Sequence, residues 1–197
     1  MHIHEGITGT LQDMRKFVPN YEELVRRIAE LRSEGNTIVL TQGTFDLVHI
    51  GHGRYLMAAK NCGNVLVVGV DSDKKTKKRK GPGRPLVPEA ERIEMLIHTD
   101  HADLVVLKED NGERWSLIKL VRPDVLIATE TTYTPEQVDQ LQEFCGEVVV
   151  LRRQAETSTS ARIRMMQIEG ATSLARRLAP KIERLIQEES EAMKRGA

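Results

Sequence analysis

The ten residues GTFDLVHIGH, at positions 43–52, hold the side chains of this chain that are best suited to chemistry. They follow an apolar run at 38–40 and place His49 and His52 three residues apart, with Gly51 between them. Glycine permits close backbone approach at the start of a helix, where exposed N–H groups and the helix dipole favour an anion. Both imidazoles could therefore meet one phosphate group. A zinc site is the alternative for this pair, but the sequence offers no further Cys or His ligands at suitable spacing, so phosphate is favoured.

The elements that must position these histidines alternate regularly. Five apolar runs predict buried strands, at 37–41, 65–70, 103–107, 124–128 and 147–151. Helices are predicted before and between them, at 21–33, 49–63, 88–99, 113–121 and 135–145. This alternation indicates an α/β fold, a Rossmann-like parallel sheet of about five strands flanked by helices. Ligands of such sheets bind at the carboxyl ends of the strands, which is where GTFDLVHIGH falls.

The sequence predicts helical extensions at both ends of this sheet domain. We expect an N-terminal segment and helix at 1–35, the α/β domain at 36–168 and a C-terminal helical extension at 169–197. In the extension, Leu174, Leu178, Ile182 and Leu185 form an amphipathic stripe, and Pro180 is expected to break or start a helix. Packing on the chain's own domain is favoured for this stripe, and a homodimer contact is the alternative.

Composition narrows the class of protein. The chain has 197 residues, and its 29 Lys and Arg balance 29 Asp and Glu, which does not support a general nucleic-acid binder. Cys62 and Cys145 are far apart and form no C-x-x-C pair, as expected for reduced thiols in the cytosol. The N-terminus lacks an apolar leader, and the apolar run at 65–70 is too short to span a bilayer. We therefore expect a soluble, cytoplasmic protein without nucleic-acid or membrane partners.

Three segments together resemble one family. GTFDLVHIGH resembles the G-[TC]-F-D-x-x-H-x-G-H signature of the cytidylyltransferase-like nucleotidylyltransferases. Further on, KTKKRKGPGRPLVPEAERIEML resembles the family's Lys-rich segment, Arg-Pro pair and Glu-Arg helix. LQEFCGEVVVLRRQAETSTSARIR resembles the segment with its second signature, R-T-x-G-I-S-T-[TS]-x-I, with Glu156 in place of the usual glycine. The likeness covers about residues 36–168. Class I aminoacyl-tRNA synthetases also carry HIGH, but this chain is short and lacks K-M-S-K-S.

The resemblance implies nucleotidylyl transfer, in which a substrate phosphate attacks the α-phosphorus of a nucleoside triphosphate and pyrophosphate leaves. It implies catalytic roles for His49, His52 and Lys80. The nucleotide-binding residues that it implies are Gly43, Thr44, Phe45, Asp46, Gly51, Lys77, Arg92, Arg153, Ser158, Thr159 and Ser160. Mg²⁺ is expected with the triphosphate, with few protein ligands and no dedicated metal site.

Two branches of the family compete. ELVRRIAELRSEGNTIVLTQGTFD and VRPDVLIAT resemble the branch that makes ADP-heptose from heptose 1-phosphate. GTFDLVHIGH and FCGEVVVLRR resemble the glycerol-3-phosphate cytidylyltransferases. ATP with a sugar phosphate is favoured, and CTP with a polyol phosphate is the alternative. Where both branches usually have a glycine-acid segment, this chain has ATETTY at 128–133. That departure motivates a third hypothesis, a catalytically inactive nucleotide-binding module, and the intact histidine pair argues against it.

Overall fold

The computed structural model describes residues 15–110, 113–152, 154–155 and 159–195. The strands are β1 (Phe17–Val18), β2 (Ile38–Gly43), β3 (Val65–Asp71), β4 (Leu104–Lys108), β5 (Val125–Thr129) and β6 (Glu147–Leu151). The helices are α1 (Tyr21–Ser33), α2 (Ile50–Lys60), α3 (Asp73–Lys80), α4 (Glu89–Ile97), α5 (Ser116–Val121), α6 (Pro135–Leu141) and α7 (Thr159–Arg195).

The six strands form one parallel sheet in the order β1-β4-β3-β2-β5-β6. From β2 the chain steps outward through β3 and β4, and then returns to the other side of β2 through β5 and β6. The order therefore reverses at β2, where open α/β sheets form a crevice at their carboxyl edge. The predicted Rossmann-like α/β fold is confirmed. The sixth strand, β1, was not predicted, because its two residues are too few to show an apolar pattern.

The strands are apolar at successive positions because helices cover both faces of the sheet. Val39 of β2 packs in one core layer, with Leu56 of α2 and Ile93 of α4. Its neighbour Leu40 packs in the other layer, with Leu24 of α1 among others. Burying each such side chain stabilises the fold by about 1.5–3 kcal/mol. The two layers hold β2 rigidly, and β2 leads directly into GTFDLVHIGH.

The basic run at 74–80 lies in helix α3. The Ser72 hydroxyl caps α3 by accepting a hydrogen bond from the Lys75 amide at 3.2 Å, and Thr76 is buried beneath the helix. Lysine and arginine are good helix formers. Four of these cations, at 77–80, lie in the last turn, where the helix dipole favours positive charge.

Four predicted helices are shorter in the structure. Helix α2 ends at Lys60 rather than at 63, and helix α4 ends at Ile97 rather than at 99. Helix α5 begins at Ser116 rather than at 113, because Trp115 adopts a left-handed conformation with φ of 61°. Helix α6 ends at Leu141 rather than at 145.

The chain folds as two compact units, the first up to Glu156 and the second from Thr157. The second unit contains α7, which runs through Pro180, so the expectation that this proline breaks or starts a helix was wrong. Proline costs a helix interior about 3 kcal/mol, which the other turns of a 37-residue helix offset. The predicted stripe is exposed, with 42% of Leu178 and 60% of Leu185 accessible. Within the described part of the chain, no helix has the length and apolar character to cross a membrane.

Candidate active site

The two histidines are built into the N-terminus of α2. His49 is the N-cap residue, and its Nδ1 accepts a hydrogen bond from the Gly51 amide at 3.0 Å. The His49 amide donates to Nδ1 of His52 at 3.3 Å, which completes a reciprocal capping box. The ring centroids lie 4.2 Å apart. Capping therefore fixes both rings side by side at the positive end of the helix, where an anion is favoured.

The same hydrogen bonds determine where the protons of the two rings lie. Because Nδ1 of each histidine accepts a hydrogen bond, a neutral ring carries its proton on Nε2. Burial lowers the pKa of His52 to about 4, and the positive charges of His49 and Lys80 add to this against the opposing charge of Asp46. His52 is therefore neutral near pH 7 and can act as a hydrogen-bond donor, not as a strong acid.

Gly51 is required by packing as well as by backbone approach. A Cβ atom at this position would lie 2.8 Å from Cε1 of His49 and 2.9 Å from Cβ of Ala155. Ala155 belongs to the segment that follows β6, and Arg54 of α2 contacts the Gln154 carbonyl of that segment at 3.5 Å. The first part of the predicted second signature, at Gln154 and Ala155, therefore lies against the histidine turn.

The loop between β2 and α2 holds two strained residues. Phe45 and Leu47 adopt φ values of 52° and 50°, in the left-handed region that side chains other than glycine rarely occupy. Phe45 is buried with 4% exposure, and its ring lies so close to Gly43 that a Cβ there would approach it to 3.0 Å. Core packing of Phe45 thus maintains the strain, a pattern that is common at functional sites.

Asp46 holds this loop to the segment that follows α3. Its carboxylate accepts hydrogen bonds from the Leu86 and Val87 amides at 3.0 Å and from Nε of Arg84 at 2.8 Å. Burial alone would raise the pKa of Asp46, but the hydrogen bonds and the charge of Arg84 lower it overall. Asp46, a predicted nucleotide-binding residue, therefore positions the loop in this structure.

Arg92 has a similar positioning role. Its guanidinium is 1% exposed and donates to four acceptors: the carbonyls of Thr44, Asp71 and Val87, and the carboxylate of Asp73. These bonds connect the signature loop to the ends of β3 and α3. The nucleotide contact implied for Arg92 stays a prediction, and it would require some of these bonds to break.

Helix α3 supplies cations close to the histidine turn. The charge of Lys80 affects His52, and partial burial together with the charges of Arg79 and Arg84 lowers the pKa of Lys80. Nη2 of Arg79 donates to the Thr44 hydroxyl and to the Asp71 carboxylate, both at 2.7 Å. Lys77 is exposed on the same helix.

The structure brings together only part of the predicted site. The signature loop, the histidine pair and α3 meet at the carboxyl edge of β2 and β3. Arg153 and Ser158 lie outside the described residues, as do the side chains of Thr159 and Ser160, whose backbones open α7. Their roles therefore stay predictions. The unusual segment after β5 forms a tight turn, in which the Thr132 hydroxyl accepts from the Thr129 amide at 2.9 Å.

Carboxylates near the signature loop are the side chains whose chemistry could hold Mg²⁺. No group of three or more His, Cys, Asp or Glu side chains in the described ranges is placed to hold a metal ion. The three carboxylates nearest the loop are each paired with an arginine, Asp46 with Arg84, Asp71 with Arg79 and Asp73 with Arg92. Each of these carboxylates is therefore already paired with a cation of the protein.

Comparison with known proteins identifies the family. Residues 40–186 match the family described as Cytidylyltransferase-like. The chain belongs to this family. This match confirms the resemblance drawn from GTFDLVHIGH and the segments that follow it.

Curated relatives of this family member are named bifunctional protein HldE. The protein from Nitratiruptor sp. is 40% identical over 112 residues, which cover 57% of this chain and 24% of the relative. The protein from Methylobacillus flagellatus is 37% identical over 152 residues, covering 76% of this chain and 31% of the relative. This chain therefore spans less than a third of the length of these relatives.

Solved structures support the fold. A lipopolysaccharide core biosynthesis protein from Thermoplasma volcanium aligns with a TM-score of 0.54 at 24% identity, covering 60% of this chain and 98% of that chain. A pantoate-β-alanine ligase from Francisella tularensis, complexed with a β-γ ATP compound and β-alanine, aligns with a TM-score of 0.55 at 14% identity, covering 73% and 68%. At these identities the likeness shows the fold alone.

Sequence reasoning missed several charged residues around this loop. Arg84 was noted only as part of an Arg-Pro pair, although its side chain is 13% exposed and forms an ion pair with Asp46 at 2.7 Å. Asp71 and Lys108 directly follow the strands predicted at 65–70 and 103–107 and were given no role, yet both are largely buried at the carboxyl edge of the sheet. A charged residue that ends an apolar strand of a parallel sheet was the signal available for both.

Proposed function

We propose that this chain transfers a nucleoside monophosphate from a nucleoside triphosphate, with ATP favoured, to a phosphorylated small molecule such as a sugar 1-phosphate. The observation that carries the proposal is the pair of capped histidines at the N-terminus of α2, beside Lys80, at the point where the strand order reverses. Family membership and the relatives named HldE support it. The proposal includes a cytoplasmic location, which suits the free thiols of Cys62 and Cys145.

The proposed reaction needs positive charge and position rather than a general base. A phosphate monoester has a second pKa of about 6 and is already ionised at neutral pH. One of its oxygens forms a bond to the α-phosphorus, while the bond to the bridging oxygen of the β-phosphate breaks and its electron pair leaves with pyrophosphate. The charge on the phosphoryl oxygens would be stabilised by the Nε2–H groups of His49 and His52, the helix N-terminus and Lys80. Mg²⁺ would be held mainly by the triphosphate.

Two alternatives compete with this proposal. A CTP-dependent transfer to a polyol phosphate such as glycerol 3-phosphate uses the same chemistry and the same histidines. A catalytically inactive nucleotide-binding module would not need two imidazoles fixed at one helix end, so the capping box favours an enzyme.

Pyrophosphate release tests the proposal directly. The protein is incubated with ATP, CTP, GTP or UTP, each with Mg²⁺, and with heptose 1-phosphate, other sugar 1-phosphates or glycerol 3-phosphate. We expect the highest kcat/KM with ATP and a sugar 1-phosphate. Thermal unfolding reports nucleotide binding separately, since a ligand at a hundred times its Kd stabilises the fold by about 2.7 kcal/mol.

Histidine variants separate catalysis from binding. We expect His49→Ala and His52→Ala each to lower kcat by roughly 10²–10³-fold, the usual effect of removing a transition-state donor, with much smaller effects on triphosphate affinity. His98→Ala is the control, since this ring lies at the end of α4, 3.8 Å from Glu94. Full activity in both site variants would refute the catalytic assignment. Nucleotide binding without turnover of any acceptor would favour the inactive module.

A further inference from the structure

Three polar residues lie together on one face of the sheet at the carboxyl ends of β2, β3 and β4. We call Gln42, Asp71 and Lys108 the β2–β4 polar cluster. Gln42 is paired in register with Gly69 of β3, two residues before Asp71, and Asp71 is paired with Lys108. Positions two apart on a strand share one face of the sheet, so these side chains stand on the same face.

The Gln42 amide is buried and unsatisfied. Its oxygen and nitrogen are both shielded from solvent, and neither has a hydrogen-bond partner among the described residues. A buried amide without partners costs free energy that an apolar side chain would not. A Cβ on Gly69 would lie 3.3 Å from Cγ of Gln42 and 2.5 Å from the Leu117 side chain, so the glycine leaves room beside the amide. A polar side chain at this position needs a reason other than stability.

Asp71 and Lys108 add charge of both signs to the cluster. Asp71 is 2% exposed and Lys108 is 16% exposed, and the ammonium lies 3.8 Å from the carboxylate. Burial lowers the pKa of Lys108 to about 8, so its ammonium is still charged near neutral pH. Because Arg79 donates to both Asp71 and Thr44, the cluster is connected to the signature loop.

Aromatic side chains extend the cluster on the same face. Tyr133 and Trp115 pack edge to face with their ring centroids 6.5 Å apart, in the core layer that contains Leu117. Burial raises the pKa of Tyr133 well above its usual value, and the negative charge of Asp71 adds to this effect. The left-handed backbone of Trp115 is the kind of strain that is found at ligand sites.

We propose that the β2–β4 polar cluster binds hydroxyl groups of the phosphorylated acceptor and so selects a polyhydroxylated molecule of the sugar phosphate class. This inference rests on the proposed function. A sugar hydroxyl both donates and accepts hydrogen bonds, and the cluster offers an amide with both capacities, a carboxylate acceptor and an ammonium donor. A second phosphate would suit a purely cationic group better, and here Asp71 offsets part of the positive charge. Strand β6, which precedes the predicted nucleotide-binding residue Arg153, lies on the other side of β2.

Two near-isosteric variants test the inference. We expect Gln42→Leu and Lys108→Met each to raise the KM of heptose 1-phosphate by roughly tenfold or more, as for the loss of one buried hydrogen bond, with the KM of ATP changed less than about twofold. For the wild type, we expect a higher KM for a sugar 1-phosphate that lacks the contacted ring hydroxyl than for the complete sugar 1-phosphate. For the variant that lacks the side chain contacting this hydroxyl, the two KM values should be similar. Gln140→Leu, an exposed position on α6, is the control and should change neither KM.

The Tm of the variants distinguishes a binding role of the cluster from a structural role, because the two roles predict opposite changes in Tm. Because the amide is unsatisfied, Gln42→Leu should leave the Tm unchanged or raise it while acceptor affinity falls. A lower Tm with both KM values unchanged would show that the cluster is structural and overturn the inference. A higher KM for ATP instead of the acceptor would place a nucleotide base there and also overturn it. If the wild type releases no pyrophosphate with any acceptor, the proposed function fails, and this inference fails with it.

Discussion

Replacing Asp46 with asparagine should destabilise the protein strongly, although the two side chains have nearly the same shape. The carboxylate is 1% exposed, pairs with Arg84, which is 13% exposed, and accepts from two backbone amides. Removing one partner of a buried ion pair costs about 3–5 kcal/mol, because the other charge stays buried without compensation. In a chain of this size we therefore expect the Tm of Asp46→Asn to fall by roughly 6–20 °C.

Calorimetry or denaturant unfolding measures this loss, and pH provides an internal check. The folded pKa of Asp46 is lowered, so its contribution is present above the unfolded value of about 4 and is lost as pH falls through the folded pKa. The difference between wild type and Asp46→Asn should therefore shrink below about pH 4. Glu30→Gln is the control, because its pair with Arg26 is exposed to solvent and should contribute little to stability. A loss below about 1 kcal/mol for Asp46→Asn, with the fold intact, would refute the reasoning.

Three further predictions concern the turn and its supports. Gly51→Ala should reduce kcat at least roughly tenfold, because the added Cβ would displace the His49 ring. Gly53→Ala is the control, since a Cβ there meets open space, and it should keep activity and stabilise α2 by about 0.5–1 kcal/mol. The same kcat in both variants would contradict the packing argument. Because the folded pKa of His52 is lowered to about 4, the free energy of unfolding should decrease as pH falls from about 6.5 towards 4. His52→Gln should remove this pH dependence. A pKa near 6.5 for the His52 ring, measured by NMR, would disprove the prediction. Arg92→Leu should cost about 3–5 kcal/mol on chemical unfolding, since its four acceptors lose their donor, and a neutral result would point to a role in ligand binding instead.

Local patterns in the sequence were sufficient for the parallel sheet and the position of the histidine turn. Strands such as β3 are apolar at nearly every position, which reports burial on both faces without knowledge of their partners. The capping of α2 is also local, since His49, Gly51 and His52 interact within four residues of one another.

Contacts between distant segments could not be read in the same way. Asp46 and Arg84 are 38 residues apart, and no periodicity connects them. The family motif singled out Arg92, but whether a guanidinium faces a ligand or the core depends on the strands around it. Trp115 shortened α5 through its backbone angle, and its residue type gave no sign of this.

The two imidazole rings of the capping box have a structural role at the N-terminus of α2 and a proposed chemical role at the phosphate. A lysine at position 49 or 52 could supply charge to a phosphate, but it has no acceptor nitrogen with which to cap the N-terminus of the helix. Asparagine at position 49 could cap the N-terminus of the helix but would bring no imidazole. Neither of these substitutions would therefore keep both the helix cap and the imidazole. Loss of either imidazole would therefore weaken the helix N-terminus and remove a proposed phosphate donor at the same time.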